Sequence, residues 1–424
     1  MSYSVLRALV GMVLLTGSTA GLAATMNITA SFSPSMDRPE NDTFTNTTPQ
    51  SGFCAVWPDQ CTSGEKSLAT GITLTPSKGL TPQDDKRESL FFKWPSSLRN
   101  VTAINEVTGN VQTLQFRVSS FSGEYSANSD SQIYNWGKGN SAFSLYPDGG
   151  CSRLSPGWII GARAVAWLWS VPVGNAGCYK ITSVERPVGE SNFINKVSEL
   201  SFGYELKAPD PLKMEAGIYT GTLTLSVGPG GDIDFGDNFQ ASDTELNINF
   251  TLSVNHELKL TTTANDQAVS LQPCTSGRIC TEDEGQANWE RWMVTRITPQ
   301  LTGRSNFSLS SSGAFTVYLE CEQQSGPDCA LRSDKMPSQT VPIQTLLTLP
   351  DNIVDNVTGA TVSKRRLAAG RDLTKNVFVT KSFGQNRAGS IDFQVSQKDV
   401  DTMLTTRPDT YRGAVTVIFD PKIY

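Results

Sequence analysis

Period two dominates this chain. The segments "TMNITASF" (25–32), "QTLQFRVSSF" (112–121), "TGTLTLSV" (220–227), "TELNINFTLSV" (244–254), "AVSLQP" (268–273), "FTVYLECE" (315–322), "SIDFQVSQ" (390–397) and "GAVTVIF" (413–419) alternate apolar residues with Ser, Thr, Asn or Gln. They are bounded by Gly, Pro, Asn and Asp, as strands with one buried face require. No sustained 3.6-residue pattern stands out, and only short helical turns such as "QKDVDTML" (397–404) are expected. The pattern predicts an all-β protein built from antiparallel sandwiches.

Two stretches echo each other: "EAGIYTGTLTLSV" (215–227) and "RPDTYRGAVTVIF" (407–419). In both, a tyrosine stands two residues before a glycine and a Thr-rich strand: Tyr219 and Gly221, then Tyr411 and Gly413. In immunoglobulin-like sandwiches a late strand is entered through a tyrosine corner whose hydroxyl bonds back to nearby backbone. Leu212 and Met214 before the first corner, and Met403 and Leu404 before the second, supply apolar anchors. Two corners imply two immunoglobulin-like sandwiches in tandem. After the first corner, "TELNINFTLSV" returns as a hairpin strand; alternation restarts after Asn255 without a long spacer. The expected division is 25–254, a short linker at 255–256, and 257–424. No returning strand follows Phe419 before Tyr424, so the second sandwich is expected to lack its last strand and to expose an apolar groove that another chain must cover.

The chain has 424 residues, 38% hydrophobic and 18% charged, enough for two sizeable cores. Its formal charge of −6 points away from nucleic acid and anionic membrane surfaces. Residues 1–24 read as a secretory leader: Arg7, the apolar run "ALVGMVLL", then small residues suited to cleavage after Ala23 or Ala24. Eight cysteines suit an oxidising compartment and fall as neighbours: Cys54 and Cys61, Cys151 and Cys178, Cys274 and Cys280, Cys321 and Cys329. Sequence does not settle their pairing; nearest-neighbour bridges are the expectation. With no C-x-x-C pair and one histidine, no metal site is expected.

"GIYTGTLTLSV" followed by "LNINFTLSV", "AVSLQP" opening the second half, and "PDTYRGAVTVIF" near the end resemble the tip adhesin and initiator subunits of class 5 (alpha) chaperone–usher fimbriae. That family includes the colonization factor antigen tip protein and the cable-pilus initiator. The resemblance implies an N-terminal receptor-binding sandwich and a C-terminal pilin domain with an incomplete immunoglobulin fold. It also implies four partners: a periplasmic chaperone, an outer-membrane usher, a major pilin that donates a strand, and a host receptor. "TMNITASF" is then expected inside the first sandwich, and the protein at a fimbrial tip.

The receptor site does not carry over. Where relatives place basic residues, this chain has "GPGGDIDFGDN", with Asp232, Asp234 and Asp237; an acidic tip repels sialylated ligands. This loop reads as a solvated hairpin tip, a receptor contact or, least well, a calcium site, since it lacks the spacing of an EF-hand. "AVAWLWSV" sets Trp167 and Trp169 with Val165 and Val171 on one face of a strand and Ala164, Ala166 and Leu168 on the other, the signature of a central core strand. Trp57, Trp136, Trp158 and the pair Trp289 and Trp292 lie in loop-like contexts, and Trp57 and Trp136 are candidates to stack on sugar. Seven N-x-S/T triplets, at Asn27, Asn41, Asn46, Asn100, Asn249, Asn306 and Asn356, reflect mostly the Asn- and Thr-rich outer faces of strands. The lone His256 sits at the linker without a nucleophile motif, and carboxylate pairs alone carry no signal, so neither an enzyme nor a cofactor is expected.

Overall fold

The structure, a computed structural model, describes residues 23–34, 41–61, 64–127, 146–155, 158–160, 164–182, 185, 187–188, 194–208, 210, 214–275, 277–371 and 376–421. Residues 1–22 of the expected leader, Leu212 and Trp136 lie outside them. Within the described residues the chain forms two β-sandwiches, as the alternation requires. One large hydrogen-bonded sheet and the short pair Leu90–Phe92 with Cys178–Lys180 carry the first, whose last strand along the chain ends at Val254; a separate set of sheets begins at Leu258.

The first sandwich is closed by its own strands. Gly217–Ser226 pairs antiparallel with Glu245–Val254 along its whole length, Gly217 opposite Val254 and Ser226 opposite Glu245. The strand Ala23–Phe32, containing the expected "TMNITASF", then runs parallel to Glu245–Val254. Met26, Ile28, Ala30 and Phe32 face inward, as do Leu246, Ile248, Phe250 and Leu252, while the intervening Thr, Asn and Ser residues line the outer face. Period-two patterning thereby becomes one-sided burial.

Ala164–Ser170 is buried on both faces. Val165, Trp167 and Trp169 join the main core, where Trp167 lies 5.4 Å from Phe92 and Trp169 5.5 Å from Phe121 between ring centroids. Ala166 and Leu168 pack the other way, under Phe53 and Cys54. The four bridges are Cys54–Cys61, Cys151–Cys178, Cys274–Cys280 and Cys321–Cys329, the nearest-neighbour pairing.

In the second sandwich one sheet runs through Leu258–Thr261, Gln300–Ser311, Gly384–Val395, Thr340–Thr348 and Asp328–Ser333. The facing sheet has the order Ile353–Asp355, Val377–Thr380, Ala314–Cys321, Val415–Asp420. Phe315, Leu319, Leu347 and Phe378 form the centre of their shared core.

Two expectations need correcting. Glu282–Thr295 is a 14-residue α-helix, so Trp289 and Trp292 are helical. Its start was legible in "TEDE": Thr281 accepts from the Glu284 backbone N–H while the Glu284 carboxylate accepts from Thr281 N–H, a capping box. Its periodicity is faint because it leans on the sandwich through a narrow stripe, with Gly285 against Gln272 and Trp289 against the core, while polar residues and the exposed Met293 and Val294 share the rest of its surface. Trp158 belongs to a short strand, Trp158–Ile160, paired with Ala164–Ala166.

The two tyrosines behave differently. Tyr219 is fully buried; its hydroxyl accepts from the Glu215 N–H (3.0 Å) and donates to Asn110 Oδ1 (3.1 Å), the expected corner. Gly221 is required beside it, because a Cβ there would meet the Thr102 carbonyl at 2.4 Å. Tyr411 is half-buried, and its hydroxyl meets the side chain of Thr406 (2.9 Å). Gly413 passes the Ala330 carbonyl closely, a Cβ contact of 2.7 Å. At the junction, His256 Nε2 donates to the Met214 carbonyl of the first sandwich, and its Nδ1 accepts from Ser312 Oγ of the second.

Tyr219→Phe strips a buried N–H and an Asn oxygen of their partner and is expected to lower stability by about 1–3 kcal/mol, whereas Tyr411→Phe costs less than about 0.5 kcal/mol; calorimetry of the full chain, which separates the two unfolding transitions, checks the contrast. Burial holds His256 below its ordinary pKa of 6.5 despite the bond to Met214. The unfolded chain therefore takes up a proton that the folded junction resists. Stability should fall as pH drops through 6.5 towards the folded value, and His256→Gln should abolish that component of a pH series.

Candidate functional site

Val415–Asp420 pairs with Ala314–Cys321 on one side only, from Thr316 opposite Asp420 to Cys321 opposite Val415. Among the described residues no strand covers its other edge. Leu258–Thr261 is likewise an edge, bonded only to Gln300–Ser311. Between the two lies a groove of about 980 Å³. Its floor is apolar, with Leu301, Phe307, Leu331, Ile343, Ile391 and Phe393 among its lining.

The first sandwich shows what normally occupies such a place. There the strand after the tyrosine corner, Gly217–Ser226, is followed in the sheet by Glu245–Val254 and then Ala23–Phe32. In the second sandwich the corresponding flanks, Val415–Asp420 and Leu258–Thr261, stand without the middle member. Burial reports the difference: Leu246, Ile248 and Leu252 are fully buried, whereas no residue of Val415–Asp420 is, and Leu260 is 40% exposed. Phe419 reaches over the floor, 5.4 Å from Phe307 and 6.0 Å from Phe315 between centroids. The groove thus presents an apolar floor between two unsatisfied backbone edges, the geometry that accepts an added β-strand.

The acidic loop is a packed and neutralised structure, which corrects the expectation of an open acidic tip. Ile233 and Phe235 turn inward, Phe235 meeting Phe92 and Trp94 edge-on at 6.0 and 5.9 Å. Asp234 is buried and accepts from both Nη atoms of Arg87 (2.8 and 3.2 Å) and from the Gly230 and Gly236 N–H groups. Arg87 also holds Asp237 (2.9 Å), and Arg99 holds Asp232 (2.6 Å). Gly236 has φ +75°, and a Cβ there would strike the Arg87 carbonyl at 2.3 Å. Burial alone would raise the Asp234 pKa, but Arg87 and the two N–H groups outweigh it and hold the carboxyl below its ordinary value. These carboxylates are spent on positioning the loop. The period-two run D-I-D-F was a legible sign of packing; the arginines, well over a hundred positions away in sequence, were not.

Trp57 lies apart from this loop, beside a small pocket shared with Phe53, Val56, Glu124 and Glu199. Burial, then the neighbouring Glu199 charge, raise the Glu124 pKa. The structure therefore does not gather Trp57 and the three aspartates into one surface. No group of three or more metal-ligating residues occurs among the described residues.

No family model and no curated protein matches the chain. Among solved structures it is similar to CfaE, the adhesive subunit of CFA/I fimbria of enterotoxigenic Escherichia coli, with 9% identity over 94% of this chain and 92% of that one, at a TM-score of 0.25. It is also similar to a chain of a chaperone–tip adhesin complex of CFA/I fimbriae biogenesis (9% identity, 94% and 96% covered, TM-score 0.25). A third similarity is to a chain of the CsuC–CsuE chaperone–tip adhesion subunit pre-assembly complex from the archaic chaperone–usher Csu pili of Acinetobacter baumannii (10% identity, 94% and 98% covered, TM-score 0.23). Such values leave function to the groove's own geometry.

Arg87→Met leaves Asp234 buried without its cation and should cost about 2–3 kcal/mol, less than a fully buried pair because Arg87 is 32% exposed. Since the folded pKa of Asp234 lies below 3.8, its contribution is complete above the unfolded value and lost as pH falls through the folded one. Urea unfolding of wild type and Asp234→Asn from pH 6 downward should show the two curves converging in that acid range.

Proposed function

We propose that the chain is a subunit of a surface fimbrium assembled by the chaperone–usher route, placed at the tip. The second sandwich is an incomplete pilin fold that takes a strand from a periplasmic chaperone and then from the major pilin at the outer-membrane usher. The observation that carries this reading is the groove of about 980 Å³ between Leu258–Thr261 and Val415–Asp420, at the place where the first sandwich holds a strand of its own. A strand of about six residues spans the exposed edge, at roughly 3.3 Å per residue.

The amino-terminal strand supports the tip position. Ala23–Phe32 is consumed within the first sandwich, with Ile28 and Phe32 fully buried, so it is not available to complete a neighbouring subunit. A subunit that accepts a strand and donates none starts a fibre. On this reading the protein is exported, its first sandwich is presented at the cell surface to bind a host receptor, and it acts by binding, without catalysis. The half-buried Trp57, beside a small pocket, is the receptor contact the described part of that sandwich offers, while Asp232, Asp234 and Asp237 serve to hold their loop.

A synthetic peptide copying the amino-terminal extension of the major pilin from the same gene cluster should raise the melting temperature of the second transition in the full mature chain. At a hundredfold excess over its Kd the gain is about 2.7 kcal/mol. Phe419→Arg, which sets a charge over the groove floor, should weaken that shift. An unchanged melting temperature with wild type would mean a self-sufficient sandwich and would remove the pilus reading.

A further inference from the structure

The helix Glu282–Thr295 and the turn after it carry an apolar surface that the groove does not explain. Val294 is 85% and Ile297 72% exposed, with Met293 beside them. The exposed Arg291, Arg296 and Arg407 border this face together with the exposed Glu290, one turn before Val294, and the guanidinium groups of Arg296 and Arg407 lie 5.3 and 5.6 Å from the Trp292 ring centroid. The helix is firmly seated, by its capping box, by Gly285 on Gln272 and by Trp289 against the core. An exposed apolar face on a well-anchored element marks an interaction surface.

Its position identifies the occupant. The groove has two ends. At one, Asp420 pairs with Thr316, a few residues from Ser312, where His256 ties the second sandwich to the first. The body of the first sandwich therefore stands at that end. At the other end Val415 pairs with Cys321, the strand Gln300–Ser311 begins, and Ile297 lies just ahead of it. Thr298 bonds Asp401 there, and Arg407 leads directly into Asp409 and Tyr411 of the groove lining. A polypeptide that fills the groove and continues into a folded body has room for that body only at this second end, next to the helix.

We propose that the face formed by Met293, Val294 and Ile297 with its arginine rim docks the body of the pilin subunit whose strand fills the groove, against an apolar patch flanked by carboxylates. The proposal rests on the strand-acceptor reading above. The surface adds affinity that a free strand cannot have, and it selects a subunit by more than the strand it inserts.

The test compares two probes on the full mature chain: the synthetic donor-strand peptide, and the intact major pilin from the same gene cluster. The variant is Val294→Asp with Ile297→Asp, both exposed, with Arg291→Glu as a second variant should the first fold poorly. Expected is an equal peptide-induced rise in melting temperature for wild type and variants, with the intact pilin dissociating from the variants at least about tenfold faster. Equal dissociation rates would overturn the docking surface while leaving the groove intact. A peptide without effect on wild type would remove the groove reading and the proposal together. A dimer of the unloaded chain that the variants dissolve would assign the face to a second copy and overturn the proposal.

Discussion

A strand edge left open beside an apolar floor exposes inward side chains to water and presents a row of N–H and C=O groups ready to pair with another strand, so it calls for cover. The first sandwich meets that constraint internally: Glu245–Val254 lies between Gly217–Ser226 and Ala23–Phe32, and its apolar residues are fully buried. The second leaves one edge of Val415–Asp420 open among the described residues, and that strand's residues remain partly exposed over an apolar floor. Everything proposed about partners follows from this contrast between two sandwiches of one chain.

The constraint also explains why the amino-terminal strand matters. Its parallel pairing with Glu245–Val254 ties residues more than two hundred positions apart into one edge, so the segment is structural in its own molecule. Within the described residues this strand completes its own sandwich, whereas the edge Val415–Asp420 stays open. The junction is correspondingly tight, with His256 bonded to both sandwiches and lying where a Cβ on Gly313 would collide with its ring.

The acidic loop shows how charge read along a chain misleads about charge on a surface. Asp232, Asp234 and Asp237 cluster in sequence, yet Arg87 and Arg99 arrive from a different part of the fold, and Ile233 and Phe235 pull the loop into the core. What remains at the surface is modest in charge. The exposed helix face in the second sandwich, on the segment where Trp289 and Trp292 read as loop-like, is the stronger surface feature.

The alternation of apolar and polar residues determined the all-β class, because period two is the only spacing that buries one face of an extended chain. Tyr219 and Gly221 announced a corner, the apolar run around Trp167 announced a strand buried on both sides, and the short cysteine separations announced four local bridges; each is a local relation, and each is present. What only the tertiary structure decided is long-range. The arginine partners of the aspartates, the separation of Trp57 from that loop, the placing of Ala23–Phe32 beside Glu245–Val254, and the width of the groove all depend on which distant segments come together. The helix Glu282–Thr295 stands between the two cases: its capping box was written in the sequence, but its faint periodicity acquires meaning only once the fold sets it beside the open end of the groove.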